Sequence, residues 1–448
     1  MVAKITRLTS LCLLTLFLTG LLIKPVKAES ITLITDAETQ QFLANIIGPL
    51  YNAAGIPFRA DKVYIVRDNT LNAFVSEGNN MFVHTGTLIE ADNVNELSGI
   101  LAHETGHILG GHIVRQQLKL QKMQYIMLGS MIAAGAAAVS TGRGDAAMAL
   151  ILGSQSSAVN SMLHYQIQEE RNADESAIKL LDKTKQSTAG LQNFMRKIKK
   201  RTTMSGITEN PYFRTHPMTT ERINHFVEAG KNNHHPIAHK LDADFAMIKA
   251  KLSAYLLDKS KVVRLYPQSD NSAAARYARS ILAFRQNNIT QALDLLDGLI
   301  AEQPHNPYLY EIKGQFLFES GQVQKSVSVY ETALKIRPDD VVLKICLAQA
   351  MLENNPNQSQ LQRIISLLQQ AQIKVPTGNG WMLLSRAYEL SGKHAASLYA
   401  AAELSYSMDN LKIAQKQLEN ARKAGADKSL SLKISDLEQR IKQELQDR

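Results

Sequence analysis

The chain has 448 residues, of which 45% are hydrophobic and 20% charged. That is the composition of a folded globular chain of two or three domains and excludes a long disordered tail. The formal net charge is +9, but Lys4, Arg7, Lys24 and Lys27 fall in the first 28 residues; without them 46 basic residues stand against 41 acidic, a net of +5. So small and scattered an excess gives no case for nucleic-acid binding and leaves room only for a mild attraction to anionic membrane surface.

The N-terminus reads as a secretory signal. Lys4 and Arg7 precede an apolar run from Leu8 to Ile23, and Val26-Lys27-Ala28 has the small-x-small form of a cleavage site. The run is shorter than the ~20 residues of a bilayer span, so cleavage after Ala28 is expected. Cys12 lies inside the run and Cys346 is the only other cysteine. A mature chain with one cysteine has no internal disulfide and is held by core packing.

The folded part opens with a helical pattern from Asp36 to Leu50, interrupted at Gly48-Pro49. Lys62–Val66, Ala73–Val75 and Met81–His84 read as strands, the last two joined by the turn residues Gly78-Asn79-Asn80. From Asn93 to about Gln117, apolar residues at Val94, Leu97, Ile100, Leu101, Ile108 and Ile113 follow a helical period and predict one long helix. Residues 125–163 are rich in Ala, Gly and Met, are broken at Ser140–Asp145, and read as a buried or membrane-facing helical hairpin.

The long helix carries His103-Glu104-Thr105-Gly106-His107, an HExxH sequence. Residues i and i+4 share a helix face, so both imidazoles can point at one zinc ion. Glu104, next to the first ligand, is placed to act as general base. A catalytic zinc needs a third protein ligand and an open fourth position. Ile113 stands where a third histidine would extend the motif, and His112 is one residue out of register. The better third ligand is Glu170, on a helix expected over Met162–Leu181. Asp174 lies one turn further and can accept the free N–H of a ligand histidine.

A fourth element is His216-Pro217-Met218-Thr219-Thr220-Glu221-Arg222, read as a loop entering a helix. His216 can hydrogen-bond a tetrahedral oxyanion or occupy the open zinc position when no substrate is bound. Arg222 can stabilise the oxyanion or position the substrate. His235-Pro236 lacks the following Thr and Arg and reads as linker.

The second half repeats with a period of 34 residues: Ala292 recurs as Ser326 and Pro304 as Pro338. Gly314, Gly321, Tyr330, Ala333 and Pro338 occupy tetratricopeptide positions, and Trp381, Leu384, Ser385 and Tyr388 match the W-x-x-L-G-x-x-Y signature with Ser for Gly. One unit holds four extra residues around Asn354–Gln360, and residues 411–445 read as a terminal cap.

Taken in order, His103-Glu104-x-x-His107, Glu170-x-x-Ala173-Asp174 and His216-Pro217-x-Thr219-x-x-Arg222-Ile223 resemble the zinc peptidase family that includes HtpX and the CAAX prenyl peptidases, over roughly residues 35–230. With a signal peptide and C-terminal repeats, the chain is similar to the periplasmic β-barrel assembly-enhancing group of that family. The resemblance implies a mainly α fold: a gluzincin-type domain of helices with a small β-sheet, then an all-α tetratricopeptide-repeat solenoid. It implies a signal peptide over 1–28, a metallopeptidase domain over 29–258 and a repeat domain over 259–448. It implies one zinc per chain on His103, His107 and Glu170, with Glu104, His216 and Arg222 in catalysis. It also implies a periplasmic location in a Gram-negative bacterium, unfolded or misassembled outer-membrane proteins as substrates, the β-barrel assembly machinery as a partner of the repeats, peripheral membrane contact, and a strand edge that binds substrate backbone.

Overall fold

Asp36 starts the first helix by accepting a hydrogen bond from the Thr39 N–H at 2.9 Å. In the computed structural model, which describes residues 32–141, 165–205, 212, 216–217, 219–233, 235–236 and 240–446, this helix α1 spans Ala37–Ala54. The signal-peptide segment lies outside the described residues. The expected interruption at Gly48-Pro49 does not occur. Phe42, Leu43, Ile46, Ile47, Leu50 and Tyr51 are all buried on one face. Their burial on both sides of Pro49 outweighs the roughly 3 kcal/mol that a helix-interior proline costs. The helix stops instead at Gly55, in the left-handed region at φ 72°.

The strands are β1 (Leu33–Ile34), β2 (Val63–Val66), β3 (Ala73–Ser76) and β4 (Asn80–His84), in the order β1-β2-β4-β3. β2 runs parallel to β4 and β3 antiparallel to it. Val63, Ile65, Ala73, Met81 and Val83 point into the core with α1 and the metal-motif helix. The opposite face carries Tyr64, Phe74 and Phe82, as the two-residue period of a strand requires.

Next come α2 (Thr85–Glu90) and α3 (Val94–Leu109); Asn93 caps α3 by accepting from the Glu96 N–H at 3.0 Å. The sequence predicts that this helix continues to Gln117, but it ends at Leu109. Gly111 turns the chain at φ 63°, and a separate helix α4 (His112–Thr141) leaves from there. A left-handed residue cannot extend a right-handed helix, and glycine adopts that conformation without steric cost. The first arm of the expected Ala/Gly-rich hairpin lies in α4; residues 142–164 are outside the described set. Among the described residues no helix is long and apolar enough to cross a membrane.

Helix α5 covers 165–183; α6 (Ala189–Ser205), α7 (Thr220–Asn232), α8 (Asp242–Leu256) and α9 (Lys259–Leu265) follow. The rest is helix pairs: α10 and α11 (Ala273–Arg285, Ile289–Glu302), α12 and α13 (Pro307–Glu319, Val323–Ile336), α14 and α15 (Val341–Glu353, Gln358–Lys374), α16 and α17 (Gly378–Leu390, His394–Ser407), and α18 and α19 (Leu411–Lys423, Lys428–Gln446). The expected insertion lengthens α15 to 17 residues, where α13 has 14. Gly314 sits where a Cβ would come within 2.7 Å of the Tyr330 ring, so the small residue lets the two helices of that pair approach. The chain is thus mainly helical, a domain with a small sheet followed by an all-helical repeat array.

The array is joined to the first domain by buried charge. Lys251 of α8, 4% exposed, pairs with Asp36 and lies 3.3 Å from both Glu38 of α1 and Glu311 of α12. The Tyr277 hydroxyl of α10 donates to Glu38 at 3.1 Å. Further along, Arg337 donates to Gln41 of α1 at 2.7 Å and to the Tyr308 hydroxyl at 2.8 Å. Three carboxylates around one ammonium cannot all ionise freely in the interior. Burial pushes Glu311 up to about 7, only partly opposed by Lys251, and raises Glu38 for the same reason.

Candidate metal centre

His103 and His107 stand one turn apart on α3 and are both buried. Gly106, between them, faces the backbone of Ala173; a Cβ there would come within 2.6 Å of the Ala173 carbonyl oxygen. The missing side chain lets α5 cross against α3 and brings Glu170 to the two imidazoles. His216 arrives from the segment before α7, which Thr219 caps by accepting from the Arg222 N–H at 3.2 Å.

The four donor groups converge. His103 Nε2 is 3.1 Å from His107 Nε2, 3.3 Å from His216 Nδ1 and 3.3 Å from Glu170 Oε2. Glu170 Oε1 is 3.2 Å from His107 Nε2 and 3.0 Å from His216 Nδ1. Zinc bonds of 2.0–2.1 Å in tetrahedral array imply ligand atoms about 3.3 Å apart. Four nitrogen and oxygen donors at that spacing fit a zinc ion in chemistry and in size, and these four residues form a buried cluster that could hold a metal.

The electrostatics suit a cation. Burial alone would push the His103 imidazole down, but bonds to Asp174 and Glu170 override it and carry His103 up to about 10. Glu170 is held well below the usual carboxylate range: burial would raise it, and its bonds to His103, His107 and His216 outweigh that. Burial drives His107 down to about 3, the opposite direction from His103; a metal would have to displace the proton that Asp174 and Glu170 stabilise on His103.

The donor groups are themselves held. Asp174 Oδ1 lies 2.9 Å from His103 Nδ1, turning Nε2 toward the cluster. Arg222 clamps Asp174 with Nε at 2.6 Å and Nη2 at 2.8 Å, reaches Glu170 Oε2 at 2.8 Å, and donates to the Pro217 carbonyl at 2.9 Å. Glu104 is 1% exposed, and burial raises its carboxyl above the ordinary range. Its Oε1 makes no hydrogen bond among the described residues and lies 3.4 Å from His216 Nε2. All seven residues expected from the sequence therefore meet at one buried place, whereas His235 stands apart, against Asp182.

Two more residues belong to this surround: one that the sequence reading sets aside as out of register, and one that it does not single out. His112, the first residue of α4, is buried and its Nδ1 lies 2.8 Å from His107 Nδ1. Tyr212, fully buried, packs against His216 with ring centroids 4.6 Å apart and planes tilted by 30°. The signal for His112 is the Gly110-Gly111 pair, which turns the chain back on the helix that carries the ligands. Tyr212 leaves no signal of its own.

Residues 37–229 match the model of peptidase family M48. The chain carries a family M48 peptidase domain. Residues 277–341 match a tetratricopeptide-repeat model. The peptidase is 26% identical over 368 residues to the beta-barrel assembly-enhancing protease of Yersinia pestis and 23% identical to that of Escherichia coli K12; both alignments cover 79% of this chain and 72% of the relative. It is also 34% identical over 101 residues to a Protease HtpX homolog of Dictyoglomus turgidum, covering 22% of this chain and 31% of the relative. The protein is a metallopeptidase of a zinc-dependent family.

Proposed function

We propose that the chain is a zinc endopeptidase of the bacterial envelope that hydrolyses peptide bonds in misfolded or stalled outer-membrane proteins. The observation that carries this reading is the convergence of His103, His107, Glu170 and His216 beside the buried carboxylate of Glu104. The relatives' names, beta-barrel assembly-enhancing protease, support the outer-membrane assignment. Residues 1–28 are read as a cleaved signal to the periplasm, 29–258 as the peptidase domain and 259–448 as the repeat domain, which would engage the β-barrel assembly machinery.

In this mechanism His103, His107 and Glu170 would hold the zinc. When bound, the ion supplies positive charge that polarises the scissile carbonyl and makes water more acidic. Glu104 takes a proton from the attacking water and returns it to the leaving amine; its raised affinity for protons suits both halves of that transfer. Asp174 fixes the tautomer of His103. Arg222 positions both carboxylates and the His216-Pro217 turn. His216 would either fill the fourth donor position when no substrate is bound or donate to the oxyanion. Substrate backbone would lie along the edge of the sheet beside α3.

A second reading follows from His216. With a fourth protein donor in place, the peptidase is latent and the chain works mainly as a chaperone or scaffold through its repeats. Metal analysis of the full chain, with cleavage of an unfolded outer-membrane protein, decides between the two. A wild-type chain that cleaves and a Glu104→Gln variant that keeps zinc but does not cleave support the peptidase. Equal cleavage by both removes Glu104 from the mechanism, and no cleavage by either favours the scaffold.

A further inference from the structure

The sheet carries an aromatic ladder that the chemistry described so far does not use. Tyr64, Phe82 and Phe74 lie side by side on β2, β4 and β3, paired in register. Their rings stack with centroids 4.9 and 4.8 Å apart and planes within 17° and 8°. All three are half-buried, on the face away from the core. The centroid spacing equals the distance between neighbouring strands, so each strand adds one rung.

The ladder ends at Phe74, on β3, an edge strand of the sheet among the described residues. That strand packs against α3, the helix of the HExxH motif. The backbone of β3 has a definite polarity. The His84 N–H donates to the Asn72 carbonyl at 3.0 Å. Because hydrogen-bonded and non-bonded pairs alternate in an antiparallel ladder, Phe74 exchanges its bonds with Phe82, while Ala73 and Val75 direct theirs to the outer edge. Ala73 is fully buried beside α3, and Val75 is only half-buried. A chain added antiparallel to this edge bonds to Val75, Ala73 being closed off against α3. Its residue opposite Phe74 then forms a non-bonded pair, the arrangement in which cross-strand side chains come closest.

We propose that the peptidase selects extended substrate segments with a Phe, Tyr or Trp at the position opposite Phe74, where the side chain becomes the fourth rung of the ladder. The inference deepens the peptidase reading above by naming a side-chain preference at the same site. The occupant is an unfolded polypeptide strand rich in aromatic residues. An aromatic pair across strands favours binding by about two- to tenfold over an aliphatic residue of similar size.

The test uses the full zinc-loaded chain carrying Glu104→Gln and short fluorescently labelled peptides without secondary structure, in which one Phe is moved through a Leu and Ser background. One register position is expected to bind two- to tenfold tighter with Phe than with Leu. Phe74→Leu should bring that ratio to about one, and Phe74→Tyr should restore it. Binding with no positional preference, or a preference that survives Phe74→Leu, overturns the proposal. If Phe74→Leu does not fold, the positional scan and the Phe74→Tyr ratio still decide it. Because binding is read on the Glu104→Gln chain, the ladder is tested separately from catalysis. Peptides that bind in register but are never cut by the wild-type chain would sink the peptidase reading and leave the ladder standing.

Discussion

His112 Nδ1 stands 2.8 Å from His107 Nδ1, so the second imidazole of the HExxH motif is oriented by a residue on the next helix. With His107 Nε2 facing the donor cluster, its Nδ1 carries the proton and His112 accepts it. His112→Ala removes that acceptor and frees the ring to rotate. Zinc affinity, measured by competition with a chromogenic chelator, should fall about 10–100-fold, with the helix content unchanged. Unaltered affinity would mean that His107 needs no orienting partner.

Glu170→Ala should lose zinc more completely than any other single change in the surround, because it removes both a donor and the negative charge. Asp174→Ala has a mixed effect. It should weaken zinc binding about 10–100-fold by releasing His103, and it leaves the buried Arg222 guanidinium without its bidentate partner. Arg222 keeps Glu170 and the Pro217 carbonyl but loses two charge-assisted hydrogen bonds, so the thermal midpoint should drop as well, by less than the about 3–5 kcal/mol that a fully unpaired buried charge costs. Asp174→Ala with native stability and tight zinc would remove both contacts from the scheme.

His216→Ala distinguishes a plug from a catalyst. Three donors and an open fourth position remain, so zinc should stay bound. If His216 closes the site, cleavage of an unfolded protein rises and self-cleavage products appear. A fall in kcat with KM unchanged would assign it to the oxyanion instead.

The junction predicts a pH dependence. Glu311 binds its proton more tightly in the folded chain, near 7, than in the unfolded chain, near 4.5. Between those values the folded state holds more protons, so stability falls as pH rises through the window and is flat above it. Thermal midpoints should therefore be higher at pH 5 than at pH 8 on account of this group, and Glu311→Gln should flatten that part of the profile. An unchanged slope in the variant would show that another carboxylate carries it.

Much of this site is legible in the sequence because its chemistry is local. Two histidines one turn apart, an acid one turn before an aspartate, and a His-Pro turn before an arginine each describe a helix face or a cap. Three of the four strands follow from short β-branched and aromatic runs; the two-residue β1 is too short to leave such a run. What the sequence hides depends on tertiary context. Pro49 reads as a break, but the buried residues on either side of it keep α1 continuous. The period from Val94 to Ile113 reads as one helix because apolar spacing does not register the left-handed turn at Gly111. His112 therefore looks out of register when it is in fact turned back onto His107. Lys251, Asp36 and Glu311 are far apart in sequence, and nothing local marks any of them as a buried partner.

Repeat arrays ordinarily lose structure from either end, since each helix pair leans only on its neighbours. Here the first pairs are pinned: Glu311 and Tyr277 share a buried charge cluster with α1 and α8, and Arg337 reaches Gln41. Unzipping can then begin only at the C-terminal pair and must stop at the pinned ones. Pulling on the last helices would shed the array rung by rung without disturbing the zinc ligands. Opening the pinned rungs would at once loosen α1, one of the helices that packs behind the metal-motif helix. The array is a one-way ratchet of stability, with its disposable rungs at the far end and its structural ones against the enzyme.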